Sequence, residues 1–174
     1  MIGSVCVFAS SSAILDQYYY DCAAALGRGI AQRGWTLVFG AGTEGLMGAL
    51  ARGAAEQGGT IIGVIPELMN VPGVVYEACT ELSATRTMRE RKAIMEQRSD
   101  AFIALPGGFG TLEEILEIIT LRQLGYHHKP VALINVQGFY DPLAKQFERI
   151  AVQRFAERES LKVYGVLDTP EAAL

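Results

Sequence analysis

The stretch Ala101-Phe-Ile-Ala-Leu-Pro-Gly-Gly-Phe-Gly-Thr-Leu-Glu-Glu-Ile-Leu-Glu-Ile-Ile-Thr-Leu-Arg-Gln-Leu124 holds an apolar segment, a glycine-rich turn and an amphipathic segment in one run. Ala101–Leu105 is uninterruptedly apolar, as a strand covered on both faces is. From Thr111 to Leu124 apolar residues recur at helical spacing. Between them, Gly107, Gly108 and Gly110 fill three of four positions, more than a strand-to-helix turn needs. Glycines let the backbone approach an oxyanion closely, and the free N–H groups at the positive end of the following helix then point at it. The pattern predicts strand, anion-binding turn, helix. Thr111 either caps that helix or gives its hydroxyl to a phosphate oxygen.

The same alternation extends in both directions. Strands are predicted at Ser4–Ala9, Thr36–Gly40, Thr60–Ile65 and Val131–Asn135, and helices at Leu15–Arg33, Leu46–Gln57, Thr85–Arg98 and Asp141–Glu159. Gly34, Gly58 and Gly125 each fall just past a helical stretch, where a C-terminal cap favours glycine. Pro66–Leu82 is broken by Pro72 and Gly73 and reads as a loop with at most one short strand. Repeated βαβ units imply an α/β fold: a doubly wound, Rossmann-like parallel sheet with helices on both faces. At 174 residues the span 1–174 is expected to be a single domain. Ligands of such sheets bind beyond the carboxyl ends of the strands. That draws attention to Ser10-Ser-Ser12, to Gly40–Gly48 and to Pro106–Thr111. Seven of the 19 glycines (Gly40, Gly42, Gly45, Gly48, Gly107, Gly108 and Gly110) lie in the last two of these turns, so close packing or phosphate approach explains them better than flexibility.

Bulk composition narrows the function. A net charge of −4 and a pI near 5.2 advertise no surface for nucleic acid, although Arg86, Arg89, Arg91 and Arg98 form a local cluster. Cys6, Cys22 and Cys79 have neither disulfide-scaffold nor zinc-ligand spacing. The N-terminal MIGSVCVFASSS lacks a charged region and is too short in its apolar run for a signal peptide or membrane span. A cytoplasmic protein with no membrane partner is expected.

Individual residues sharpen the picture. Gly40-Ala-Gly-Thr-Glu-Gly45 matches the dinucleotide fingerprint formally, but follows the second strand rather than the first; a second turn serving the same phosphate, or close helix–strand packing, fits better than NAD. Arg91 shares a helical face with Met88, Ile94 and Met95. A guanidinium on an apolar stripe must either snorkel to water or meet an anion. Arg89, Lys92, Glu90 and Arg98 read as a solvated face with local ion pairs. Glu114 aligns with Ile118 and Leu121, so its carboxylate has a partly apolar setting near a helix start. His127 and His128, adjacent in a loop, do not make a metal site.

At this point the motifs identify a family. Pro106-Gly-Gly-Phe-Gly-Thr-Leu-Glu-Glu114 resembles the PGGxGTxxE motif of the LONELY GUY (LOG) phosphoribohydrolases, and Met88-Arg-Glu-Arg-Lys92 resembles their companion M-H-E-R-K segment. Gly45-Leu-Met-Gly48, Gly63-Val-Ile-Pro66 and Asn135-Val-Gln-Gly-Phe-Tyr-Asp141 extend the likeness over nearly the whole chain. Such proteins often carry a lysine decarboxylase label. A pyridoxal-phosphate enzyme would need a Schiff-base lysine, and none of Lys92, Lys129, Lys145 and Lys162 sits in a supporting motif.

The resemblance implies hydrolysis of the N-glycosidic bond of cytokinin riboside 5′-monophosphates or AMP, giving free base and ribose 5-phosphate with no metal or organic cofactor. It assigns the catalytic roles to Arg91 and Glu114. It also implies that Gly107, Gly108, Gly110 and Thr111 bind the phosphate, with Gly42 and Thr43 opposite, Ser10 and Met88 contacting substrate, and Lys92 a weaker neighbour of Arg91. A homodimer packed partly through the helix Thr111–Leu124, which is apolar on more than one side, is expected to close the open crevice. The alternative is a non-catalytic nucleotide or molybdenum-cofactor carrier on the same scaffold, which need not keep Arg91 and Glu114 together. The chain departs from the family pattern at Ala41, where glycine is usual and a methyl group next to the phosphate is therefore expected, and at Arg89 and Leu121.

Overall fold

The computed structural model describes residues 2–174. Its chain order is β1 (Ser4–Phe8), α1 (Gln17–Gln32), β2 (Thr36–Phe39), α2 (Gly45–Glu56), β3 (Ile61–Pro66), β4 (Glu81–Thr85), α3 (Met88–Gln97), β5 (Ala101–Ala104), α4 (Phe109–Gln123), β6 (Val131–Ile134), α5 (Asp141–Val152), β7 (Gly165–Leu167) and α6 (Pro170–Ala173), with three short 3₁₀ turns between elements. The strands form one parallel sheet in the order β4-β3-β2-β1-β5-β6-β7. It is the doubly wound α/β architecture that the βαβ alternation predicts.

Alternate residues of the central strands feed two cores. Val5 and Val7 of β1 pack with Leu26 and Ile30 of α1 and Leu46 and Leu50 of α2. Cys6 and Phe8 face Met95 of α3, Ile115 and Ile118 of α4 and Phe147 of α5 on the opposite side. Helices α1 and α4 both end in a left-handed glycine, Gly34 (φ 70°) and Gly125 (φ 80°), as expected. In each the following residue bonds back five positions, Trp35 to Ile30 and Tyr126 to Leu121, which satisfies the last free carbonyls.

Two predicted boundaries need correction, and one strand is additional. Helix α5 stops at Val152 rather than Glu159. Its end is closed by Arg154 N–H to the Ala151 carbonyl and Phe155 N–H to the Ile150 carbonyl, with Arg154 in the left-handed conformation (φ 64°) usually filled by glycine. Residues Glu81–Thr85 form strand β4, so the strand lies at the end of the irregular segment and takes Thr85 from the predicted helix. β7, three residues at the opposite sheet edge, was not foreseen.

The winding reverses between β1 and β5. From β1 the chain proceeds outward through β2, β3 and β4; from β5 it proceeds the other way through β6 and β7. The loops leaving β1 and β5 therefore diverge and open a crevice at the carboxyl edge of the sheet.

Candidate active site

That crevice is a cleft of about 720 Å³. Ser10 borders it from the β1 loop, Gly42 and Thr43 from the β2 turn, Met88 and Arg91 from α3, and Gly108, Gly110, Thr111 and Glu114 from the first two turns of α4. Four segments far apart in sequence thus deliver most of the predicted residues to one place. Gly107 and Lys92 lie outside the lining.

The predicted anion-binding turn leads into α4. Gly108 is its N-cap residue and the first intrahelical bond runs from Leu112 N–H to the Gly108 carbonyl (3.0 Å), so the N–H groups of Phe109, Gly110 and Thr111 have no helical acceptor. With the positive end of the helix behind them, they can hold an oxyanion. Thr111 does not cap the helix: no side chain does. Its side chain instead fills the space beside Gly107, where a Cβ atom would collide with it. Gly108 and Gly110 differ, because a Cβ on either would meet nothing within 4 Å. Internal packing does not demand glycine there, and the open space adjoins the cleft.

In the second glycine turn the backbone is closely packed, one of the two readings open from the sequence. Leu46 N–H (2.9 Å) and Met47 N–H (3.3 Å) at the start of α2 both donate to the Ser10 carbonyl, and Thr43 N–H donates to the Val74 carbonyl (2.9 Å). These three amides are already engaged by backbone carbonyls, as close packing of the turn requires. Gly40 is glycine because the guanidinium of Arg91 lies where its Cβ would be. Ala41 is fully buried, with φ 58°, and its Cβ points at Gly63 rather than at the cleft. The methyl group expected beside the phosphate is therefore in the core.

Arg91 meets an anion instead of snorkelling. The N-cap Thr87 accepts from Glu90 N–H (3.1 Å), and the Glu90 carboxylate accepts from Arg86 N–H (2.8 Å), which fixes the start of α3. One turn on, Arg91 is buried: its Nε donates to the Val64 carbonyl at 3.0 Å and its Nη1 donates to Oε1 of Glu114. The two side chains are only 9% and 11% exposed. Burial pushes the Glu114 carboxyl above the usual carboxylate range, with the charge of Arg91 opposing. Lys92, the next residue, turns away from the cleft to pair with Glu113 and Glu117, the latter at 2.7 Å. Arg98 grips Glu81 of β4 through two bonds of 2.6 and 2.8 Å.

Apart from Met88, the apolar part of the site goes beyond the residues expected from the sequence. Met47, Ile65, Met69, Val74 and Phe109 also line the cleft, and Phe109 is almost wholly exposed. An aromatic residue inside a glycine-rich turn was the available signal. His127 is buried against the Ile118 carbonyl (3.1 Å) and His128 is exposed. Among the described residues no group of three or more His, Cys, Asp or Glu side chains is placed to hold a metal ion, and no helix is long and apolar enough to cross a membrane.

The family model described as possible lysine decarboxylase matches residues 47–174. A cytokinin riboside 5′-monophosphate phosphoribohydrolase of Oryza sativa subsp. japonica is 42% identical over 168 residues, 97% of this chain and 69% of that protein. One of Arabidopsis thaliana is 41% identical over 170 residues, 98% of this chain and 78% of that protein. The chain belongs to the LOG family.

This LOG protein also resembles solved structures of another kind. The molybdenum cofactor carrier protein of Chlamydomonas reinhardtii superposes with a TM-score of 0.75 at 25% identity, covering 99% of this chain and 94% of that one. The molybdenum cofactor binding protein of Rippkaea orientalis gives 0.74 at 25% identity, covering 99% and 93%.

Proposed function

We propose that this protein hydrolyses the N-glycosidic bond of cytokinin riboside 5′-monophosphates, and of AMP as the unsubstituted counterpart, releasing the adenine-type base and ribose 5-phosphate, with residues 1–174 acting as one catalytic domain. The buried Arg91–Glu114 pair beside an anion-binding helix terminus carries this reading. Phe109, Gly110 and Thr111 hold the 5′-phosphate through their amides, with Thr43 and Ser10 on the far wall. The C1′–N bond breaks with its electron pair leaving on the base, and positive charge grows on the sugar. A carboxylate in a dry setting stabilises that charge far more than it would in water. Glu114 serves this purpose and holds the water whose oxygen joins C1′; the proton lost by that water ends on the departing base. Arg91 fixes Glu114 and the sugar phosphate relative to one another. Met69, Met88 and Phe109 offer apolar surface to the base.

The carrier alternative rests on likeness of fold. Identity of 41–42% to phosphoribohydrolases, against 25% to the carriers, favours the hydrolase. The reading extends to a homodimer, because Leu116, Leu124 and Tyr126 leave an exposed apolar strip along and beyond α4. Light scattering at micromolar concentration would return a dimer mass, and a monomer mass counts against it. Cys6, Cys22 and Cys79 are all free thiols, which supports a reducing, cytoplasmic setting.

The deciding assay incubates the protein with AMP, isopentenyladenosine monophosphate and the matching nucleoside, and measures released base. Release from the monophosphates but not the nucleoside is expected. Equal release from the nucleoside would overturn the phosphate-anchored mechanism.

A further inference from the structure

The segment Asn135–Asp141 has no side chain in the cleft lining, yet it reaches the phosphate turn from behind. Tyr140, 1% exposed, donates its hydroxyl to the Leu105 carbonyl at 2.7 Å. Leu105 is fully buried and lies immediately before Pro106, just past the end of β5. Its N–H donates to the Phe8 carbonyl of β1 at 2.9 Å. Both backbone groups of Leu105 are therefore fixed, one by the neighbouring strand and one by the phenol. Pro106 follows with its φ locked by the ring. Only Gly107 and Gly108 then separate this anchored unit from the amides of Phe109, Gly110 and Thr111.

The rest of the segment is arranged to deliver that hydroxyl. Oδ1 of Asn135 accepts from Tyr140 N–H at 2.7 Å, and Nδ2 of Asn135 donates to Asp141 at 2.8 Å. Gly138 takes a left-handed turn (φ 71°), and a Cβ there would sit 2.7 Å from the Asp141 carboxylate. Phe139 packs edge-on against the Tyr140 ring. Asn135, Gly138, Tyr140 and Asp141 each have a task in holding one phenol against one carbonyl.

We infer that Tyr140 is a positioning residue for the 5′-phosphate. It sets the plane of the Leu105–Pro106 peptide and, through it, the direction of the α4 amides. The buried carbonyl has no water to replace the phenol, so loss of the hydroxyl leaves it unpaired and releases the turn. The inference rests on the phosphate-binding role proposed above for α4.

Calorimetric titration of wild type and Tyr140→Phe with ribose 5-phosphate and, separately, with adenine tests it without requiring turnover. Ribose 5-phosphate binding is expected to weaken about tenfold in the variant, with adenine binding unchanged, because only the phosphate contact depends on amide direction. Tyr164→Phe, which removes the hydroxyl of a phenol that packs on Phe147 and bonds no backbone carbonyl among the described residues, is expected to bind both as wild type does. Equal ribose 5-phosphate affinity in wild type and Tyr140→Phe, or parallel weakening of both ligands, overturns the inference. So does a wild type that binds no ribose 5-phosphate. Should Tyr140→Phe fail to fold, Asn135→Ala, which frees the Tyr140 N–H, is judged by the same two ligands and the same criteria. A wild type that binds ribose 5-phosphate but releases no base from any monophosphate would refute the hydrolase and leave this inference standing.

Discussion

Arg91 and Glu114 pair across the seam between α3 and α4, with both side chains withdrawn from water. Neither charge is accidental to the packing. The glycine at position 40 clears space for the guanidinium, and the Val64 carbonyl accepts its Nε–H. Breaking a buried pair by removing one partner typically costs ~3–5 kcal/mol, because the other charge stays buried. The fold tolerates this charged contact at the end of a cleft, which is where chemistry rather than stability would call for it.

Glu114→Gln tests that division directly. The amide keeps an oxygen for Arg91 but no charge for the sugar. Base release from AMP is expected to fall by ~10²–10³ or more, the scale on which a single electrostatic group acts in a dry site. Calorimetric binding of AMP should stay within about threefold of wild type, since the α4 amides proposed to hold the phosphate are untouched. Full activity in this variant would remove Glu114 from the mechanism.

The pH profile follows from the same burial. In the proposed mechanism Glu114 acts as a carboxylate, and its carboxyl is held above the ordinary range chiefly by burial, with Arg91 opposing. Activity should therefore fall as pH drops through a value higher than the ~4.3 of a free glutamate. The charged groups around it are Arg91 and Lys92 from α3 and Glu113 on its own helix; Cys6 beneath it, from β1, is kept neutral by burial. Lys92→Met removes a cation and leaves Glu113 and Glu117 unpaired. Both effects disfavour another negative charge, so the acidic limb of the kcat/KM profile should move to higher pH. A downward shift, or none, would show that the Lys92 cluster does not act on Glu114.

How far the sequence is legible depends on which groups were already engaged. β1, β2, β3, β5 and β6 are covered on both faces and stand out as apolar runs. β4 is an edge strand whose Glu81-Leu-Ser-Ala84 portion is largely exposed, and β7 has only three residues, so neither leaves such a trace. The end of α5 is hidden because Arg154, not glycine, takes the left-handed position. Arg91 and Glu114 were visible as charges on apolar helical faces. The engagement of the α2 amides by the Ser10 carbonyl was not, because a backbone acceptor contributed from 36 residues away has no sequence signature.

Gly107, Gly108 and Gly110 look alike in sequence and should separate under mutation. Alanine at 107 collides with the Thr111 side chain, so Gly107→Ala should lower the melting temperature, by a destabilisation of ~1–3 kcal/mol. Alanine at 108 or 110 meets open space. Gly110, inside the first turn of α4, should even gain slightly from the better helix former. Their penalty should appear in KM for the monophosphate, rising about tenfold where the methyl group meets a phosphate oxygen. Thermal melts and steady-state kinetics on the three variants decide it. A KM unchanged in both Gly108→Ala and Gly110→Ala would place the phosphate elsewhere.

Ala41 offers the converse test, a departure from the family pattern that should leave substrate binding alone. Its left-handed backbone costs an alanine ~1–2 kcal/mol, which Ala41→Gly would relieve. The same change removes a buried methyl group worth ~0.8 kcal/mol and adds a glycine's freedom to the unfolded chain. These oppose one another, so stability should change by less than ~1 kcal/mol, and KM should be unaffected because the methyl faces Gly63. Gly63→Ala, in contrast, would bring two methyl groups to 2.8 Å and crowd the Cys79 sulfur equally closely, and should destabilise clearly. Combining Ala41→Gly with Gly63→Ala removes the first clash but not the second. The pair should therefore be less destabilised than the sum of its parts, yet not restored to wild type. Additive melts would mean that the two residues do not touch, and a raised KM in Ala41→Gly would return the methyl group to the phosphate.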